Sequence, residues 1–191
     1  MKLLEQRILK DGRVLSGGIL KIDSFLNHQL DPQLMYEMAL EFKRLFADKN
    51  VNKILTIEAS GIAIAVMTGY VFGCPVVFAK KSKTKNISDN VYSVEVESFT
   101  HGNTNTVVVS KEYLHSGDRV LIIDDFLATG AALVGLKALV EQAGGVAVGA
   151  GIAVEKVFQG GGALLEKNGL HVESLARIAS MSDDSLEFVQ N

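Results

Sequence analysis

Apolar positions change their spacing several times along this chain, and each change marks an element. Residues 1–10 carry apolar side chains at 3, 4, 8 and 9, the one-sided stripe of a short amphipathic helix. Asp11-Gly12 is a turn signal, residues 17–22 read as a short extended piece, and residues 23–29 as loop. Asp31-Pro32 starts a helix, with Pro at the first helical position. It runs to about Phe46 on an apolar face of Leu34, Met35, Met38, Leu40, Phe42 and Leu45. Short apolar runs at 53–57, 75–79, 120–123, 146–154 and 171–178 have the length of buried strands. Helical patterns fill 62–72, 131–142 and 163–167, the second ended by Gly144-Gly145. Residues 91–97 and 104–110 are two β-rich runs around a polar, Gly-containing tip, a hairpin predicted to stand off the sheet. The tail after 178 reads as polar and acidic. Strands alternating with helices predict an α/β fold with a parallel sheet.

The chemistry gathers at 120–132. Val120-Leu121-Ile122-Ile123 is followed by Asp124-Asp125 where the strand should end, then by Phe126-Leu127 and a short loop into the next helix. Ligands of open α/β sheets bind just past the carboxyl ends of strands. The N–H groups of Ala128, Thr129, Gly130, Ala131 and Ala132 at a helix start suit an anion. Thr129 adds a hydroxyl, and Gly130 lets the chain turn. Two carboxylates beside an anion nest suit a ligand with hydroxyls, or a divalent cation, close to its phosphate. Ribose 5-phosphate has that layout; a solvated acid pair in an ordinary turn is the plain alternative.

Other stretches add weaker signals. Glu58-Ala59-Ser60-Gly61 follows a strand and opens a helix, so it is either a second anion nest or a turn capped by Ser60. Residues 80–85 place four lysines just past a strand, either a solvated loop or a partner for a highly charged anion. The Gly-rich run near 149–151 lies inside a strand, so it is no dinucleotide fingerprint. At 191 residues a single domain is expected, and 48% apolar with 21% charged residues is ordinary for a globular chain. A net charge of −3 argues against general nucleic-acid affinity. Apolar runs fall short of membrane-spanning length, and the mixed-charge N-terminus lacks a signal-peptide core. The single cysteine, Cys74, fits a reducing cytoplasm and reads as a small buried hydrophobe. Four scattered histidines show no metal-ligand spacing.

The 120–132 stretch resembles the phosphoribosyl diphosphate signature of the type I phosphoribosyltransferases: four apolar residues, two acids, an apolar pair, then a small residue and Thr-Gly. That resemblance implies a central parallel sheet flanked by helices in one domain, 1–191. It adds an N-terminal hood, mainly 1–50, and a flexible β-hairpin lid at about 82–110. Carried over, Asp124 and Asp125 are the catalytic pair that holds the ribose diol. Ala128, Thr129, Gly130, Ala131 and Ala132 hold the 5-phosphate. Ala59, Ser60 and Lys81 meet the diphosphate, with Lys80, Lys83 and Lys85 behind Lys81. Ala131-Ala132 departs from the many members with Gly and then Thr or Ser there, which removes one hydroxyl donor.

The segment 15–31 resembles the hood of members that act on xanthine. Leu20 and Asn27 would then contact the base, and Lys156 would donate to a purine carbonyl. An Asn amide carries both a donor and an acceptor, which suits an oxopurine edge; satisfying a loop backbone is its ordinary alternative. Phe158 either stacks on the base or packs in the core. The resemblance implies xanthine plus phosphoribosyl diphosphate giving xanthosine 5′-monophosphate and diphosphate. Mg²⁺ would accompany the phosphoribosyl diphosphate with no protein ligand assigned. It further implies a cytoplasmic homodimer in purine salvage, without nucleic-acid or membrane partners. Guanine or hypoxanthine as the base is one alternative. A phosphoribosyl-diphosphate-sensing regulator is the other, but the chain before Lys53 is too short for a winged-helix domain.

Overall fold

The structure is a computed structural model that describes residues 1–82, 90–97, 104–182 and 184–190. Helix α1 (Lys2–Asp11) leads into an antiparallel ribbon of β1 (Arg13–Leu15) and β2 (Ile19–Lys21). One turn of π-helix follows over Asp23–Asn27. Helix α2 (Pro32–Leu45) starts where its cap places it: the Asp31 carboxylate accepts from the Leu34 N–H at 3.1 Å. Then come β3 (Lys53–Ile57), α3 (Gly61–Phe72), β4 (Val76–Ser82), β5 (Val91–Glu97), β6 (Thr104–Ser110) and β7 (Arg119–Leu127). Helix α4 (Ala131–Gln142), β8 (Val146–Lys156), a 3₁₀ turn (Val157–Gln159), α5 (Gly161–Lys167), β9 (Val172–Met181) and β10 (Leu186–Phe188) complete the described chain.

The main sheet has the order β10-β9-β8-β7-β3-β4-β6-β5. Strands β9, β8, β7, β3 and β4 run parallel, and both edges are antiparallel. Its two faces carry separate cores. On one, Leu4, Ile8, Phe25, Phe42 and Phe46 from the N-terminal segment pack over Leu121, Ile123 and Val154. On the other, Leu133, Leu136, Leu139 and Leu165 pack over Leu55, Ile122 and Ile152. The glycines of β8 belong to this packing. A Cβ at Gly149 would meet Phe46 at 2.6 Å, and one at Gly151 would meet Phe42 at 2.8 Å. They let α2 settle onto the sheet, as expected for glycines within a strand.

The parallel α/β architecture is the predicted one, but several elements differ. β7 continues through both acids to Leu127, because β8 runs beside it and pairs Glu155 with Leu127. Asp124 and Asp125 are therefore strand residues. Lys80 and Lys81 also lie in a strand, since β6 extends β4 through the pairs Lys80↔Val108 and Lys81↔Val107. The hairpin of β5 and β6 continues the main sheet and does not stand off it. β5 lies on α4, where a Cβ at Gly135 would meet Val96 at 2.5 Å. The N-terminal segment holds a ribbon and a π-helical turn where one extended piece and a loop are predicted. The tail contributes edge strand β10. Lys83, Lys85 and the hairpin tip at 98–103 lie outside the described residues. Among the described residues, no helix is long and apolar enough to cross a membrane.

Candidate active site

The loop from β7 to α4 forms a cavity of ≈ 200 Å³ lined by Ala128, Thr129, Gly130, Ala131 and Ala132, together with Lys81 and Phe126. Gly130 turns the chain at φ +87°. The first turn of α4 carries no acid, so its N–H groups present an uncompensated positive end to an anion. Lys81 reaches this cavity from β4. Its own N–H donates to Glu58 Oε1 at 2.7 Å, which ties β4 to the loop after β3. A cavity of ≈ 600 Å³ lies along β4, β5 and β6, lined by residues such as Pro75, Phe78 and Tyr113. Of the site residues expected from the sequence it holds Lys80, named behind Lys81, and neither the acids nor the loop after β7. At the smaller cavity the backbone of the loop into α4 and a lysine converge.

Beside it sit the two acids, Asp124 at 7% and Asp125 at 6% exposure. Asp124 Oδ1 accepts from the Asp125 N–H at 3.0 Å, and Asp125 Oδ1 accepts from Ser60 Oγ at 3.0 Å. Ser60 is thus turned to the acid pair and makes no side-chain cap to α3. Burial first, and the neighbouring Asp125 charge second, push the Asp124 carboxyl well above the ordinary carboxylate range. Lys81 pulls weakly the other way. The Glu58–Ala59 peptide between β3 and Ser60 is cis. Among the described residues, no three His, Cys, Asp or Glu side chains converge to hold a metal ion.

The last residue of β8, Lys156, links this site to the N-terminal segment. Its Nζ donates to the Gly18 carbonyl at 2.9 Å and lies 5.7 Å from the Phe126 ring centroid. Burial lowers the pKa of the ammonium from its ordinary value. Asn27 ends the π-helical turn, and its Oδ1 is buried without a hydrogen-bond partner. A buried amide oxygen of that kind fits a ligand donor. Leu20 is 6% exposed and belongs to the core with Ile22 and Phe25. Phe158 is 48% exposed, not core, and Cys74 packs half-buried against the core.

The structure therefore gathers Lys81, Ser60, both acids and the phosphate loop, and brings Lys156 to the hood. Sequence reasoning missed Phe126, which was read only as one of an apolar pair and which joins the loop cavity to Lys156. It also missed Gly18 as the partner of Lys156, for which no local signal exists.

A parallel sheet carrying an anion nest and a buried acid pair at its strand ends defines a phosphoribosyl-transferring site, and residues 22–165 match the phosphoribosyl transferase domain family, to which this chain belongs. The type I fold implied by the signature is the fold observed. The chain is 56% identical over 190 residues to a xanthine phosphoribosyltransferase of Ruminiclostridium cellulolyticum, with 100% of both chains covered. It is 52% identical over 191 residues to one of Bacillus cytotoxicus, covering 100% of this chain and 97% of that one. Among solved structures, adenine phosphoribosyltransferase from Giardia lamblia, complexed with 9-deazaadenine, superposes with a TM-score of 0.77 at 19% identity. That match covers 91% of this chain and 97% of the other. Adenine phosphoribosyltransferase from Thermoanaerobacter pseudethanolicus gives a TM-score of 0.74 at 22% identity, covering 91% and 99%. These two likenesses show the shared fold.

Proposed function

We propose that this chain transfers the 5-phosphoribosyl group from phosphoribosyl diphosphate to xanthine in purine salvage, forming xanthosine 5′-monophosphate and diphosphate. The observation that carries the chemistry is the anion nest and Lys81 lining one cavity, with the buried acid pair just before it in β7. The choice of base rests on full-length identity of 52–56% to relatives named for xanthine.

In the reaction the bond from C1′ to the diphosphate oxygen breaks, and the diphosphate leaves with the electron pair. A ring nitrogen of xanthine forms the new bond to C1′, and its proton passes to the departing diphosphate. Between these events the ribose carries positive charge. Ala128 to Ala132 would fix the 5-phosphate, and Asp124 and Asp125 would hold the diol and oppose the developing charge. Ala59, Ser60 and Lys81 would face the leaving group. Lys156 would donate to a base carbonyl and Asn27 would read the base edge, with Phe126 between them and the phosphate loop. Leu20 would meet the base from the hood core. A magnesium ion bound with phosphoribosyl diphosphate supplies charge neutralisation at the leaving group.

A homodimer is part of the proposal. α3 is apolar on its outer side as well, exposing Val66 at 54% and Tyr70 at 77%, and Phe78 and Tyr113 are exposed along the ≈ 600 Å³ groove. A helix apolar all round is expected to be covered. The lone free Cys74 supports a reducing, cytoplasmic setting.

The test is product stoichiometry with xanthine, phosphoribosyl diphosphate and Mg²⁺. One diphosphate released per xanthosine 5′-monophosphate formed supports the proposal. Tight binding of phosphoribosyl diphosphate without product would favour a sensor.

A further inference from the structure

Thr56 in β3 is wholly buried, and its Oγ1 has no hydrogen-bond partner. Buried hydroxyls are paired in nearly all folded proteins, so an unpaired one marks either a partner taken up later or a functional role. Thr68, also buried, behaves ordinarily: its Oγ1 donates to the Ile64 carbonyl at 2.8 Å.

Gly61 shows what lies opposite Thr56. A Cβ at Gly61 would sit 2.2 Å from Thr56 Oγ1, 2.9 Å from Asp124 Oδ1 and 3.5 Å from the Ile123 carbonyl oxygen. The hydroxyl and the carboxyl therefore border the same spot beside Gly61, a space too tight for one added carbon, which the missing side chain of Gly61 leaves clear. The paired register of β3 and β7 ends at Leu55↔Ile122, so Thr56 lies one residue and Asp124 two residues past the last pair. Asp124 Oδ1 accepts one bond, from the Asp125 N–H, which leaves its carboxyl with unused acceptor capacity.

We infer that Thr56 is a positioning residue for phosphoribosyl transfer: its hydroxyl, unpaired here and bordering the same spot beside Gly61 as the Asp124 carboxyl, turns to donate to that acid when the ribose diol is bound and so holds it in place. This inference rests on the transfer reaction proposed above. Thr56 acts through Asp124 and touches no substrate itself. Its effect should therefore fall on the sugar-phosphate substrate, because Lys156 and Asn27, which would serve the base, stand on the hood side.

Thr56→Val keeps the shape and removes the hydroxyl; Thr56→Ser keeps the hydroxyl and removes a methyl. With Thr56→Val, KM for phosphoribosyl diphosphate should rise about tenfold, the size of one charge-assisted hydrogen bond. KM for xanthine should stay within about twofold, since base contacts are untouched. Thr56→Ser should recover the wild-type KM for phosphoribosyl diphosphate to within about threefold, because the donor remains. An unchanged KM for phosphoribosyl diphosphate in Thr56→Val overturns the inference. So does an equal rise for both substrates, or a Thr56→Ser enzyme as impaired as Thr56→Val. Should Thr56→Val fail to fold, Thr56→Ala is judged by the same KM pattern. A wild-type protein without transfer activity overturns the proposed reaction instead, and the relative affinities of the variants for phosphoribosyl diphosphate then decide the role of Thr56.

Discussion

Adding one methyl group at Gly61 should cripple the enzyme while leaving it folded. Gly61 opens α3 without a left-handed backbone, so alanine suits its conformation. In an ordinary helix the change would stabilise by about 1 kcal/mol. Here the new Cβ would stand 2.2 Å from Thr56 Oγ1 and 2.9 Å from Asp124 Oδ1, where ordinary contact begins at 3.4 Å. The hydroxyl must therefore withdraw by about 1.2 Å and the carboxylate by about 0.5 Å. Overpacking of this kind costs about 1–3 kcal/mol, so the net loss of stability should be small. The catalytic loss should be larger, since misplacing a reacting group by about 1 Å can cost on the order of 10²-fold. Steady-state kinetics at saturating xanthine, beside a thermal melt, separate the two effects. The expected result is kcat/KM for phosphoribosyl diphosphate lowered by about 10- to 100-fold with a folded, cooperative melt. A Gly61→Ala enzyme with wild-type kinetics and a raised Tm would refute the crowded gap and the placement of Asp124 beside it.

Four further outcomes are expected. Asp124→Asn with Asp125→Asn should nearly abolish turnover in a folded protein, and near-normal activity would remove the acid pair from the site. The single change Asp124→Asn has a second signature. The folded-state pKa of Asp124 is raised by burial, so its contribution to stability is full at acid pH and is lost as pH rises through that value. Asp124→Asn should then be more stable than wild type near neutral pH, with the difference vanishing towards acid pH; a pH-independent difference in Tm contradicts this. Lys156→Ala should raise KM for the base more than KM for phosphoribosyl diphosphate, and the reverse pattern would move Lys156 off the base. Asn27→Ala should change the preference among oxopurines, because its buried Oδ1 lacks a protein partner, and an unchanged ranking would place base selection elsewhere.

What the sequence disclosed was mostly local. Periodicity located the central strands and the helices that cover them, and the spacing of 120–132 placed both acids beside the turn into α4. Strand ends were not local. β7 and β4 reach further than their own residues suggest because β8 and β6 lie alongside and extend the hydrogen-bonded ladder. For the same reason the hairpin joined the sheet, and Lys80 and Lys81 became strand residues. Edge strand β10 is only three residues long and gains its structure from pairing with β9. Contacts between distant residues left no trace in composition. Lys156 and Gly18 are separated by 138 positions, and Ser60 and Asp125 by 65. Thr56 looked like any strand threonine, and Gly61 like any loop glycine, until folding put both against Asp124.

The most direct measurement is a steady-state assay with Mg²⁺, phosphoribosyl diphosphate and each of xanthine, guanine, hypoxanthine and adenine in turn. Nucleotide should form fastest from xanthine, with diphosphate released in equal amount. Faster turnover of another base would keep the phosphoribosyl chemistry and contradict the assignment of Asn27, Leu20 and Lys156 to xanthine. No nucleotide from any of the four bases would contradict the central claim that this chain is a phosphoribosyl-transferring enzyme.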